Sequence, residues 1–258
     1  MSYSGHEVDK PFGIALGHAP GTVHNINARN AAVTAAEDLW IAGGNWTPPT
    51  TARIHQLAST VDTDGKTAAP NSVGARTVEV KGLKTWSTEE SSETVILDGT
   101  TNVATANAYV MINSMRVLTR GTTSSNVGVI TATADTDNSV TAHIAVNAGH
   151  SQQAFFGAPS GCTVYMGRLY GNMLKATGAN VSVLAELLVN PEPDTQVAFF
   201  NVRHTFSLIS DGTSALTINY WTPKKFTGPV MIKLRVTPSG GTQDVSGGFD
   251  VIVRTTGV

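Results

Sequence analysis

Short alternating segments, each stopped by glycine, asparagine or aspartate, run through most of this chain and leave it little choice but an all-β fold. The clearest lie in the first half: Gly74–Leu83, Glu93–Thr100, Ala108–Asn113 and Asn126–Ala132. Alternation with β-branched residues suits a strand buried on one face, and Gly, Asn and Asp supply the turns between strands. The pattern predicts strands near 53–60, 76–82, 93–98, 101–105, 108–119, 127–134 and 139–146. A second set follows near 153–157, 162–170, 180–189, 198–209, 215–221, 229–237 and 247–254. Val181–Val189 has a composition that a helix would also accept, but strands flank it and Pro191 and Pro193 close it, which favours a strand.

At 258 residues the chain is long enough for one large β domain or two ordinary ones. The reading is of two packed β domains, of β-sandwich or jelly-roll type, at 37–149 and 150–258, with an extended N-terminal arm over 1–36. No Ser/Gly-rich linker marks the junction near Gly149-His150-Ser151, so the halves are expected to pack on each other. The arm is punctuated by Gly and Pro and poor in charge. It is read either as a segment lying across a neighbouring subunit or the rest of the chain, or as a disordered tail. Asn30–Trp40 has room for one short helical turn.

Charged residues make up 14% of the chain and the net charge is −2, so there is no basic footprint for nucleic acid. Low charge with abundant Thr and Val suits sheet surfaces covered by partners. No apolar stretch reaches the length of a membrane helix. The N-terminus has no basic and apolar leader pattern, so synthesis in a cytoplasm is expected. The single cysteine, Cys162, enters a strand from a turn and is read as a buried structural thiol.

Residues able to do chemistry are scattered. His6, His18, His24, His55, His143, His150 and His204 form no HxH or HExxH pair, although His18 and His24 share the arm. Asp62-Thr63-Asp64-Gly65 and Asp135-Thr136-Asp137-Asn138 have spacings that calcium loops use, but neither continues to the distant glutamate, and turns are the better reading. Glu89, Glu90 and Glu93 cluster in a loop entering a strand; paired carboxylates can hydrolyse glycosides, but a solvated acidic loop is the default. There is no nucleophile elbow and no phosphate loop, and Lys224-Lys225 forms no aromatic-lined stripe. No catalytic residue, cofactor or metal site is expected. The aromatic residues Trp40, Trp46, Trp86, Tyr220 and Trp221 are the candidate interaction surface, with Asp38–Pro49 read as an ordered loop anchored by its tryptophans.

The order of motifs resembles a family of virion structural, capsid-associated proteins of tailed, mostly marine, bacteriophages. The resemblance rests on Glu37-Asp38-Leu39-Trp40, the G-A-R-T-V-x-V-x-G-L core at Gly74–Leu83, and the E-x-V-x-L-x-G-T step at Glu93–Thr100. It continues through Ile112-Asn113, the N-x-G-x-I run at Asn126–Ile130 and the P-x-G turn at Pro159–Gly161, covering roughly residues 35–165. A weaker echo is the small-residue run Ser246–Ile252. The resemblance implies a particle component and carries no active-site residues. It leads to the expectation of a capsid decoration, cement or head-fibre subunit, homo-oligomeric and trimeric, docked on a major capsid protein. A tail adhesin binding a host-surface glycan, or a major shell protein, are the alternatives. Neither nucleic acid nor membrane is expected as a partner.

Overall fold

Segments that alternate over a hydrophobic interior must pair with one another, and in this chain they pair into two stacked sandwiches. The computed structural model describes residues 10–18, 20–66, 73–174, 181–209 and 214–255. A short helix α1 (Lys10–Ala15) precedes β1 (Thr22–Val33) and β2 (Glu37–Asp38). Seven strands of the first predicted set follow: β3 (His55–Ser59), β4 (Ala75–Leu83), β5 (Ser91–Ile96), β6 (Val103–Ala104), β7 (Met111–Arg120), β8 (Ile130–Ala134) and β9 (Val140–Ile144). The second set is β10 (Phe155–Ala158), β11 (Cys162–Leu174), β12 (Ser182–Asn190), β13 (Asn201–Ile209), β14 (Ser214–Thr227), β15 (Val230–Pro238) and β16 (Gln243–Thr255).

The second set, with β1, makes two antiparallel sheets of order β1-β16-β11-β14 and β10-β15-β12-β13. Numbered 1 to 8 along the chain, those eight strands run 1-8-3-6 and 2-7-4-5, the arrangement of a jelly roll. Inward residues of both sheets fill it: Val164, Leu169 and Phe249 from one, Val183, Leu187 and Leu234 from the other. Strands β3 to β9 form sheets β6-β3-β8-β9 and β5-β4-β7, inserted between the first and second jelly-roll strands. Their core gathers Leu57, Ile130 and Ile144 from one sheet and Val78, Val80 and Met115 from the other. A third cluster, including Trp40, Trp46, Leu83, Met111, Phe155 and Met231, joins the two units.

Thr22–Val33, within the stretch expected as an arm, pairs antiparallel with β16, from Thr22 opposite Val253 to Asn30 opposite Val245. Ile26 and Ala28 point into the jelly-roll core, while residues 1–9 lie outside the described residues. The helical turn expected in Asn30–Trp40 is absent. Polar side chains close a tight loop there instead: Asn30 Oδ1 accepts from Ala32 N at 3.0 Å, and the Glu37 carboxylate accepts from Asn30 Nδ2 and Gly44 N at 3.0 and 2.7 Å. Such side chains compete with helical backbone bonds. The strand reading of Val181–Val189 agrees with β12.

Candidate functional site

The five aromatic candidates separate into two groups. Trp40 and Trp46 are 5% and 2% exposed, so neither presents a face to solvent. Trp46 stacks on Phe155 at 4.2 Å between ring centroids and donates its Nε1 to Thr141 O at 3.0 Å, while Trp40 meets Phe155 edge-on at 5.7 Å. Both rings fasten the Asp38–Pro49 loop to the junction of the two units. Trp86 is half-buried against the same cluster. Tyr220 and Trp221 lie on edge strand β14, where Tyr220 is half-buried and Trp221 is 99% exposed.

The motif residues become latches. Asp64 is fully buried, and its carboxylate accepts from Ser59 Oγ (2.8 Å), Ala75 N (2.7 Å), Val127 N (2.9 Å) and Gly128 N (2.7 Å). Gly74 leaves the room this carboxylate occupies, since a Cβ there would collide with Asp64 Oδ1. Gly82 similarly lets β4 approach the Met111 carbonyl on β7. Asn126, also buried, donates to the Gly128 and Ala145 carbonyls and accepts from Gly149 N and Ser125 Oγ. Asn113 bonds the Gly157 backbone and donates to Glu90 Oε1 at 2.7 Å. Buried polar groups need such partners, and Asp64, Asn113 and Asn126 find most of theirs in the backbone.

The carboxylate candidates follow the same rule. Glu93 accepts from Ala106 N, Asn107 N and Asn107 Nδ2, which ties β5 to the loop after β6. Asp62 accepts from Thr100 Oγ1 at 2.6 Å, and this holds its carboxyl below the usual range. Asp137 makes a two-pronged ion pair with Arg53, which lowers its pKa in the same way. Both D-x-D segments are thus bound into turns. The Cys162 thiol is buried, and burial raises its pKa. Burial lowers the pKa of His24, His143 and His204, and pushes that of His55 down to about 4. Among the described residues no cluster of three or more His, Cys, Asp or Glu side chains could hold a metal ion. No described helix is long and apolar enough to cross a membrane.

Two features escaped the sequence reading. Lys233, outward on β15, is 4% exposed, with the Asp38 carboxylate of β2 and the Phe200 ring against its ammonium. Its Nζ meets Asp38 Oδ2 at 2.8 Å and lies 4.4 Å from the centroid of the Phe200 ring. Burial lowers the lysine pKa and the Asp38 charge opposes that shift. Alternation predicts an outward lysine there, and nothing local reveals its cover. The second feature is a cleft of about 320 Å³ at the junction of the units, between the start of β1, the β10–β11 turn and the loop before β5. Its accessible lining is mainly polar, with His24, Glu89 and Glu90 among it, and the buried Leu83, Phe156 and Pro159 lie behind. His24 packs tilted on Phe156 at 4.7 Å.

No protein family matches the chain, and no curated protein matches it in sequence. Among solved structures it is similar to that of the infectious bursal disease virus Gx strain, at 10% identity over 93% of this chain and 73% of that one, with a TM-score of 0.23. T=1 particles derived from infectious bursal virus are similar at 10% identity over 91% and 70%, with a TM-score of 0.21. The infectious bursal disease virus VP2 subviral particle is similar at 10% identity over 91% and 72%, with a TM-score of 0.19. At these TM-scores the likeness carries neither a fold nor a function.

Proposed function

We propose that this chain is a structural component of a bacteriophage virion, a capsid decoration or cement protein or a head-fibre subunit, acting as a homo-oligomer docked on the shell. The observation that carries the reading is the jelly roll with a second β unit inserted between its first two strands. Jelly rolls serve as capsid subunits, lectins and metal-holding cupins. A cupin needs metal ligands inside the roll, and this interior is packed with Val, Leu, Met and Phe. The motifs that resemble phage virion proteins are spent on latching strands, which suits a building part. Because a fold alone does not assign a role, the motif resemblance and the latches supply the rest of the support.

The pairing with β16 makes Thr22–Val33, within the 1–36 stretch read as an arm, an edge strand of the jelly roll. Deleting that stretch would remove an edge strand along with any docking element. A glycan-binding adhesin keeps one supporting observation, the fully exposed ring of Trp221. Gold-conjugated antibody against the protein, applied to particles of the phage that encodes it, separates these roles in the electron microscope. Gold over the head is the expected result. Gold on the tail transfers the chain to the adhesin reading, and unlabelled particles with the protein free in solution overturn the virion assignment.

A further inference from the structure

Strand β14 is an open edge of its sheet, and it is built against pairing with another strand. Between Met166–Lys224 and Arg168–Asn219, the single residue Gly167 of β11 faces Tyr220, Trp221, Thr222 and Pro223 of β14. A bulge interrupts the ladder, proline has no N–H to offer, and Lys224 and Lys225 follow at once. Each of these devices discourages strand addition at an edge. What the bulge presents instead is the Trp221 side chain, 99% exposed. Its base is fixed: Tyr220 meets His204 edge-on at 5.9 Å, and Lys224 Nζ lies 5.2 Å from the centroid of the Tyr220 ring. Lys224 Nζ also donates to the Arg203 backbone carbonyl at 3.4 Å. Among the described residues, none of Arg203, Lys224 and Lys225 has a carboxylate within ion-pair distance.

The cleft at the junction of the units has the complementary character. Its volume is about 320 Å³, its lining is mainly polar, and Glu89 and Glu90 stand among the lining residues. Glu89 is exposed, Glu90 is half-buried, and among the described residues neither has a cation within ion-pair distance. The cleft opens beside β1 and the knob stands on β14, the two edges of one sheet in the order β1-β16-β11-β14. The cleft also reaches Cys162 at the start of β11, and the knob stands opposite Gly167 about 16 Å further along that strand, so knob and cleft do not meet within one copy.

We propose that Trp221 of one copy seats in the Glu89–Glu90 cleft of a second copy, with Lys224 and Lys225 facing the two glutamates. Two different patches meet, so the contact is head-to-tail, and it forms a ring where the rotation per copy closes and a filament where it does not. The ring is the form that suits a decoration subunit, and in this the proposal deepens the homo-oligomer part of the function proposed above. The pairing is one of charge, cations beside an exposed tryptophan against a concave site holding two carboxylates, and tryptophan is among the commonest interface anchors.

Sedimentation velocity on the purified full chain tests the contact. The parent chain is expected to be oligomeric, with association weakened at least tenfold in 1 M salt by screening of the charge pairs. W221A and E89K/E90K are each expected to be monomeric, with unchanged circular dichroism. E89K alone guards against a folding effect, since Glu90 also holds Asn113. Mixed in equal amounts, W221A and E89K/E90K should give a dimer and nothing larger, because one copy keeps only the cleft and the other only the knob. Reversal of both partners in one chain, K224E/K225E with E89K/E90K, should restore the oligomer. A monomeric parent chain, an oligomeric W221A, or a mixture that stays monomeric overturns the contact. These readouts are in solution, so their failure leaves the virion reading, which is read on particles, to stand or fall separately.

Discussion

Asn113 and Gly157 hold each other by two hydrogen bonds: Gly157 N donates to Asn113 Oδ1 at 2.8 Å, and Asn113 Nδ2 donates to Gly157 O at 3.0 Å. The first residue is on β7 of the inserted unit and the second on β10 of the jelly roll, so this side chain does for the junction what a backbone ladder does within a sheet. Asn113→Ala should cost about 2 kcal/mol in urea unfolding, roughly 1 kcal/mol for each bond. Asn113→Asp should cost more, because a carboxylate cannot donate to Gly157 O and would face Glu90. Glu90→Gln in that background should recover part of the loss. An Asp variant as stable as the Ala variant would show that Glu90 does not sense this position.

The Asp38–Lys233 pair ties β2 to the outer face of β15, with Trp46 N also donating to Asp38 Oδ2 at 3.0 Å. Both side chains are buried; removing Asp38 leaves Lys233 charged and unpaired, and removing Lys233 leaves Asp38 only the more distant Arg235, whose Nε lies 3.6 Å from Oδ1. Lys233→Met and Asp38→Asn should each cost about 3–5 kcal/mol. The double variant should fall short of their sum, with a coupling of about 1–3 kcal/mol. Denaturant midpoints of the four proteins give the cycle directly, and strict additivity would mean that the two charges do not depend on each other.

The fourteen strands from β3 to β16 were legible because a half-buried strand writes itself as local alternation, and the turns between them as Gly, Asn and Asp. β1 was not legible. Ile26, Ala28 and Val33 mark its inward face in the described core, but the buried Asn30 interrupts them, Gly17 and Gly21 break the pattern before it, and its partner β16 lies at the other end of the chain. Which tryptophans are covered was equally hidden. Trp46 and Trp221 sit in similar local company, yet one is sealed under Phe155 and the other is pushed out by a bulge that continued alternation through Leu216–Trp221 does not foretell. The Asp62–Gly65 segment was readable as a turn, but not as the point where Asp64 gathers the amides of Ala75, Val127 and Gly128.

Those amides make Asp64 a sharp test of the latch idea. Asp64→Ala strands three backbone N–H groups and the Ser59 hydroxyl in a dry interior, and should cost at least about 3 kcal/mol. Asp64→Asn should recover little, because its amide nitrogen is a donor where donors already converge. Hydrogen exchange should accelerate at Ala75, Val127 and Gly128 in both variants, ahead of the other amides of the β3–β9 unit. Unchanged protection at those three positions would mean that the loop is held by other contacts.

Acid should weaken the protein through its buried histidines before its carboxylates titrate. Burial pushes His55 down to about 4 from the ordinary 6.5, against the opposing charges of Asp135 and Asp137. Between those values the unfolded chain carries a proton that the folded chain refuses, so stability rises with pH across this window. The contribution is complete above the unfolded value and lost as pH falls to the folded one, and for His55 it is on the order of 3 kcal/mol. His24, His143 and His204 are lowered by burial too and act with the same sign; for His24 the Glu90 charge opposes the shift and Lys81 adds to it. Replacing His55 by Gln removes its share, so the slope of unfolding free energy against pH between 5 and 6.5 should flatten relative to the parent chain. Parallel curves for the two proteins would mean that His55 takes up its proton in the folded state as readily as in the unfolded one.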